Sequence, residues 1–186
     1  MGKTKLQIDP SDTTDGRKRY QWKSEYPNRA KIEIGIESLY LFIMMICCFG
    51  VIYYTWKGVI CSLLSIPLDQ IFAFKKYTFY SISGLLGGVA FGMKYLYRTV
   101  ARGWWHQDRL IWRLLSPFVA MIVAFIIGAL IDASIIPTKY LARNATHISI
   151  GFLSGYFADQ AVGKMYEIAR VIFGRSAALK EADEKK

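Results

Sequence analysis

The sequence predicts an all-α integral membrane protein, a bundle of four hydrophobic helices with a cytosolic N-terminal arm and an amphipathic C-terminal helix. Apolar residues make up 53% of the 186-residue chain, and they lie in blocks rather than at an even spacing. A block of about twenty apolar residues is long enough to cross ~30 Å of hydrocarbon. Within these blocks small residues recur at every fourth position, which places them on one face of a helix.

Three of the blocks carry such ladders of small residues. In lipid, helices associate through small faces that let their backbones approach. We therefore predict that the ladders pack helix against helix, either within one subunit or between subunits. Three ladders in one small chain favour a homo-oligomer. The rungs are Gly84, Gly88 and Gly92 in the first ladder, Ser116, Ala120, Ala124 and Gly128 in the second, and Gly151, Gly155 and Gly163 in the third.

The N-terminal part of the chain predicts a polar arm followed by a first span. Residues 1–35 are polar, basic and turn-rich, and we interpret them as a cytosolic arm that is partly disordered. Residues 36–56 form the first predicted span, whose only charged residue is Glu37 at its N-terminal end. The aromatic residues that close this span, as an interfacial belt does, are Tyr53, Tyr54 and Trp56.

Residues 59–68 are apolar, but they form too short a block to cross a membrane. A helix of that length rises ~15 Å, about half a bilayer, and Pro67 interrupts it. The segment is predicted to be interfacial or re-entrant, or to be part of an extended hairpin connection.

Residues 77–95 form the second predicted span and carry the first ladder. The next segment, residues 98–113, mixes arginine with tryptophan. This mixture is typical of a segment in the lipid headgroup layer, and it also offers a surface to a soluble partner. The residues of this predicted interfacial loop are Arg98, Arg102, Trp104, Trp105, Arg109, Trp112 and Arg113.

Residues 114–136 form the third predicted span, with Pro117 in its first turn, where the missing N–H costs nothing. The fourth span covers residues 148–166, and its helix continues as an amphipathic helix to about residue 173. Residues 36–174 thus form the transmembrane domain, and residues 175–186 form a charged tail.

The distribution of Lys and Arg predicts the orientation. With a cytosolic N-terminus and four spans, 19 of the 24 basic residues fall in cytosolic segments. This bias favours a multi-pass protein of the bacterial inner membrane with both termini in the cytosol. The basic residues assigned to the outer side are Lys57, Lys75, Lys76, Lys139 and Arg143.

Asp132 lies near the outer end of the third predicted span, on the next rung of the second ladder. An ionisable residue inside a span is costly and is a hypothesis for a functional site. Either Asp132 bonds Ser134, Lys139 or Arg143 at the interface, or it lines an aqueous path through the bundle.

Asp159 occupies a rung of the third ladder, where the fourth segment becomes amphipathic. One interpretation is a structural ion pair that positions the fourth helix. The other is a gate or a charge at the inner mouth of a pore. Its natural partners are Lys94, Arg98, Arg102 and Arg113.

The chain contains no motif of a known catalytic or cofactor-binding class. It has no metal-protease motif, no phosphate-binding loop and no dinucleotide fingerprint, so we expect a non-enzymatic protein without a cofactor or metal. Cys47, Cys48 and Cys61 lack metal-ligand spacing. The net charge of +10 sits mainly beside apolar blocks, which favours membrane lipid over nucleic acid as the partner.

Three features together resemble a known class of protein. They are the run Trp-Arg-Leu-Leu-Ser-Pro at residues 112–117, the glycine-rich second span, and residues 151–159 with the segment that follows to residue 174. They resemble small uncharacterised bacterial inner-membrane proteins with four hydrophobic segments. Some of these are membrane partners of a soluble sensor in antiphage systems, as the membrane subunit of the Kiwa system is. The resemblance covers roughly residues 80–174 and implies no site residues.

Three functions compete for a protein of this class. The first is an oligomeric membrane effector or sensor subunit, in which a cytosolic partner acts on the basic loop and the subunit opens a path or perturbs the bilayer. The second is a membrane anchor or scaffold without conductance. The third is a small transporter, which requires polar groups near the middle of the membrane.

Overall fold

In the computed structural model, which describes residues 24, 26–133, 143–160, 162, 163 and 166, every regular element is helical. The all-helical prediction is confirmed for these residues. The described residues include neither the end of the third predicted span nor the charged tail. They also leave out most of the arm and most of the predicted amphipathic helix. The elements are α1 (Asn28–Lys57), α2 (Val59–Leu63), α3 (Ile71–Ala101), a 3₁₀ turn (Gln107–Arg109), α4 (Leu110–Ala133) and α5 (Asn144–Tyr156).

Two helical segments are long and apolar enough to cross a membrane. They are Asn28–Lys57, which is α1, and Gln107–Asp132, which is the 3₁₀ turn and nearly all of α4. In α1 only 17% of the most apolar stretch is buried within the molecule. The helix therefore presents a long apolar surface outward. The exposed side chains of this α1 surface include Ile32, Ile36, Leu39, Phe42, Ile43, Ile46 and Phe49.

Glycine ends α1 and forces the chain into the short α2. Gly58 has a φ of 81°, a left-handed conformation that residues with a Cβ rarely adopt. Its N–H donates to the carbonyls of Tyr54 and Thr55, which closes the last turn. The segment predicted as interfacial or re-entrant is thus a five-residue helix in the connection to α3.

The central helix α3 packs against α1, α4 and α5. Its contacts with α4 and α5 are almost backbone to backbone. A Cβ added to Gly84 or Gly88 would lie closer than 3.0 Å to Ala124 or Ala120 of α4. A Cβ added to Gly155 of α5 would lie equally close to the backbone of Gly84.

The other rungs divide between buried and open positions. A Cβ at Gly151 would meet the backbone of Tyr80, and a Cβ at Gly128 would meet the ring of the same tyrosine. In contrast, among the described residues a Cβ added to Gly92 would meet only the side chain of Leu41, and one added to Gly163 would have no neighbour within 4 Å outside its own helix. The tight rungs therefore join helices of one chain, so any homo-oligomer needs a different surface.

The prediction that Pro117 lies in the first turn of its helix is wrong. The helix α4 begins at Leu110, so Pro117 lies in its interior, where it cannot donate to the carbonyl four residues earlier. Pro117 is fully buried, and its backbone contacts the face of Gly88. The close packing of α4 on Gly88 of α3 therefore accommodates Pro117, although this proline weakens the helix.

The prediction of one continuous helix from residue 148 is also wrong. The helix α5 begins at Asn144 and ends at Tyr156, a turn follows at Phe157, and helical backbone resumes at residues 158–160. Gly151 and Gly155 lower the helix propensity of this segment, because glycine keeps more freedom in the unfolded chain. Their packing on α3 offsets that cost within α5, and the helix is interrupted just beyond the last of these contacts.

Candidate functional site

A buried ion pair joins the first and fourth helices. Glu37 of α1 is 2% exposed, and its carboxylate accepts from Arg113 Nε at 2.6 Å and from the indole N–H of Trp105 at 3.1 Å. The Arg113 guanidinium also lies 5.2 Å from the centre of the Trp105 ring. Because a buried charge is costly without partners, these contacts make one unit of the three side chains, here called the Arg113 cluster.

The Arg113 cluster holds the loop between α3 and α4 in place. Arg113 Nη1 donates to the carbonyl of His106 at 3.2 Å. The hydroxyl of Tyr26 donates to the carbonyl of Val100 at 3.2 Å and accepts from the backbone N–H of Trp105 at 3.4 Å. The loop is thus tied to α1 and to Tyr26, which precedes α1. The side chains that the loop carries therefore have a defined position.

The prediction that all of this loop is interfacial is wrong for two residues. Trp105 and Arg113 are each 8% exposed and point into the protein, because the buried carboxylate of Glu37 binds both. The one charge in the first apolar block was the signal in the sequence that could have identified this pair. The remaining residues are exposed and form what we call the basic surface: Arg98, Arg102, Trp104, Arg109 and Trp112.

A cavity of about 610 Å³ lies beside this loop, between the end of α3 and the end of α5. Of the described residues that line it, four are basic and none is acidic. Lys94 donates from Nζ to the hydroxyl of Tyr156 at 3.1 Å, and the Arg102 guanidinium lies 5.5 Å from the centre of the Trp104 ring. The basic residues of this cavity are Lys94, Arg98, Arg102 and Arg109.

Asp159 does not form the ion pair expected from the sequence, as far as the described residues show. It is exposed and lines a smaller cavity of about 200 Å³ together with Glu37, Gly92 and Arg113. Its expected partner Arg113 is bound to Glu37 instead. Asp159 is therefore a free carboxylate beside the Arg113 cluster within the part of the chain that the structure describes.

Asp132 has two partners that the sequence analysis did not expect, while Ser134 and Lys139, which it did expect, lie outside the described residues. Lys76 Nζ lies 2.5 Å from its carboxylate, and the hydroxyl of Tyr77 donates to the same oxygen at 2.8 Å. Both partners belong to α3, because this helix begins at Ile71, before the predicted span. Asp132 thus ties the end of α4 to the start of α3.

His147 is a buried polar residue to which the sequence analysis assigned no role. It is 1% exposed, its Nδ1 lies 3.1 Å from the hydroxyl of Tyr80, and its Nε2 has no hydrogen-bond partner among the described residues.

None of the described residues form a group of three His, Cys, Asp or Glu side chains that could hold a metal ion. Comparison with protein-family models, with curated proteins and with solved structures finds no match to this chain. The geometry of the two cavities, the basic surface and the buried pairs is thus the basis for the functional proposal.

Proposed function

We propose that this chain is a non-enzymatic, multi-pass protein of the bacterial inner membrane, an effector or sensor subunit that acts with a cytosolic protein partner. The observation that supports this best is the basic surface. Its cations and tryptophans are exposed, yet the buried Arg113 cluster holds their loop in a defined position. A side-chain array of this kind suits a docking surface, since charge guides association and exposed tryptophan provides binding energy.

The outward surface of α1 supports the membrane location. Seven large apolar side chains along it are exposed. Monomeric soluble proteins rarely expose continuous apolar patches of this kind, whereas lipid covers them without cost. We propose that lipid or a second copy of this chain covers the α1 surface, and that both termini lie in the cytosol on the side of the basic surface.

The packing of α3 bears on how an effector could act. Its contacts with α4 and α5 leave no space for even one added methyl group at Gly84, Gly88 or Gly155. A conducting path along these faces of a single subunit is therefore disfavoured, and a path would require a homo-oligomer. A role in antiphage defence is proposed from the resemblance of residues 80–174 to membrane subunits of such systems.

A membrane anchor without conductance is the second candidate. The same tight packing favours it, because a rigid bundle with a fixed docking surface needs no path through it. A small transporter ranks below both, since Asp132 and Asp159 lie toward opposite ends of α4, the first at its C-terminal end and the second beside Arg113 near its start. Neither carboxylate is near the middle of the bundle.

Overexpression with a membrane-potential dye separates the two main candidates. If the chain is an effector, cells should depolarise, and Asp159→Ala should abolish the depolarisation, because Asp159 is an exposed carboxylate beside the Arg113 cluster that has no ion-pair partner among the described residues. Asp108→Ala is the matched control, since it removes an exposed carboxylate from the 3₁₀ turn between α3 and α4. Equal effects of both substitutions would contradict a gating role.

An unchanged potential, together with a soluble protein that co-purifies with the chain, favours the anchor. The co-purification should then be lost in Arg109→Gln/Trp112→Ala, which alters two residues of the basic surface, one of which, Arg109, also lines the 610 Å³ cavity. Recovery of the chain in the soluble fraction after alkaline extraction of membranes would overturn the membrane proposal itself.

A further inference from the structure

The cavity beside the basic surface is built from side chains of one charge. Lys94, Arg98 and Arg102 are spaced four residues apart, so Lys94 and Arg98 lie on one face of α3 and Arg102, its C-cap residue, follows on the same side. Like charges at this spacing destabilise a helix. Among the described residues none of the three has a carboxylate partner, as the ion pairs there involve Arg29, Lys76 and Arg113. An anion between them would remove this repulsion.

The cations are positioned rather than loose. Lys94 is held by the hydroxyl of Tyr156, and the guanidinium of Arg102 lies against the ring of Trp104. Arginine side chains bind phosphate oxygens in pairs through a planar fork of N–H donors. Two arginines and a lysine around one cavity therefore match a phosphate group.

The size and the remaining lining define the ligand further. A volume of about 610 Å³ lies in the range of small-molecule sites. Aromatic residues line the cavity as well, with Phe91 and Tyr95 on α3 and Phe157 after α5. A site with cations and aromatic rings suits a phosphate group that is attached to a less polar body.

We propose that this cavity binds a phosphate group, either the headgroup phosphate of an anionic phospholipid or a free phosphate. The cytosolic leaflet is the source of anionic lipid that basic pockets between helices recognise. The lipid source rests on the proposed orientation in the membrane, while the recognition of phosphate rests only on the cavity.

The test measures ligand binding to the purified full-length chain in neutral detergent by native mass spectrometry. The probes are phosphatidylglycerol, phosphatidylcholine as the zwitterionic comparison, and inorganic pyrophosphate as the free phosphate. We expect phosphatidylglycerol or pyrophosphate to bind at least about tenfold more tightly than phosphatidylcholine, since a single charged hydrogen bond contributes roughly that factor.

Three double variants locate the binding. Arg98→Gln/Arg102→Gln should weaken it by about tenfold or more. Arg29→Gln/Lys31→Gln removes two positive charges from exposed positions outside the cavity and should change binding less than about twofold. Arg98→Lys/Arg102→Lys keeps the charge but loses the paired donors, so it should retain part of the binding. This variant replaces Arg98→Gln/Arg102→Gln in the test if the glutamine variant does not fold.

The outcomes separate the two sources. If Arg98→Gln/Arg102→Gln loses only phosphatidylglycerol binding, the site is assigned to lipid. If it loses only pyrophosphate binding, the site is assigned to free phosphate. Equal losses of binding in Arg98→Gln/Arg102→Gln and Arg29→Gln/Lys31→Gln would overturn the proposal. Equal binding of phosphatidylglycerol and phosphatidylcholine without pyrophosphate binding would also overturn it. These measurements involve no cytosolic partner, so their failure leaves the proposed docking function to its own test.

Discussion

Gly155→Ala is expected to prevent the accumulation of folded protein. The added methyl group would lie closer than 3.0 Å to the backbone of Gly84, which cannot move aside as a flexible side chain can. Overpacking of a well-packed core costs about 1–3 kcal/mol or more, a large part of the stability of a small protein. Size-exclusion profiles of a fluorescent fusion, recorded after a series of heating steps, measure the loss.

Gly50→Ala and Gly35→Ala are the matched controls. Both glycines lie inside α1, and nothing lies within 4 Å of the position of an added methyl group. Alanine favours a helix over glycine by roughly 0.5–1 kcal/mol, so these variants should be as stable as the parent or more stable. If Gly155→Ala behaved like them, the close approach of α5 to α3 would be refuted.

Glu37→Leu is expected to have the second large effect. It removes the partner of Arg113, a residue that is 8% exposed and whose Nη2 has no hydrogen-bond partner among the described residues. Breaking a buried ion pair by removing one partner costs about 3–5 kcal/mol, because the other charge stays buried. The indole N–H of Trp105 loses its acceptor too. The thermal midpoint of the purified chain should fall accordingly.

The double variant Glu37→Leu/Arg113→Met separates the cost of an unpaired charge from that of lost packing. It leaves no buried charge, so it should recover much of the stability lost in Glu37→Leu. The surface control is Arg29→Gln, which breaks an exposed pair with Glu33 and should cost about 1 kcal/mol or less. A double variant no more stable than Glu37→Leu would be evidence against a buried pair at this site.

The helices and their small faces were predictable because both depend on local sequence. Gly84 and Gly88 share a face of any helix that contains them, whatever surrounds it. Block length likewise identified α1 and α4 as segments able to cross a membrane. Neither argument requires knowledge of a second segment of chain.

The partners of the charged residues were not predictable in the same way. Asp132 binds Lys76 and Tyr77 of α3, which the sequence analysis did not expect. Arg113 was placed at the membrane interface, but it is buried on Glu37. In each case the observed partner lies on another helix, far away along the chain.

The sequence by itself determined that this chain is helical, which faces of its helices are small, and where its positive charge concentrates, because periodicity and composition are local properties. Only the tertiary structure decided which helix each ladder meets, which charges are buried in pairs, and which cations remain free around a cavity. The physical reason is distance along the chain. The deciding contacts join residues 55 to 76 positions apart, and their pairing depends on how whole helices pack.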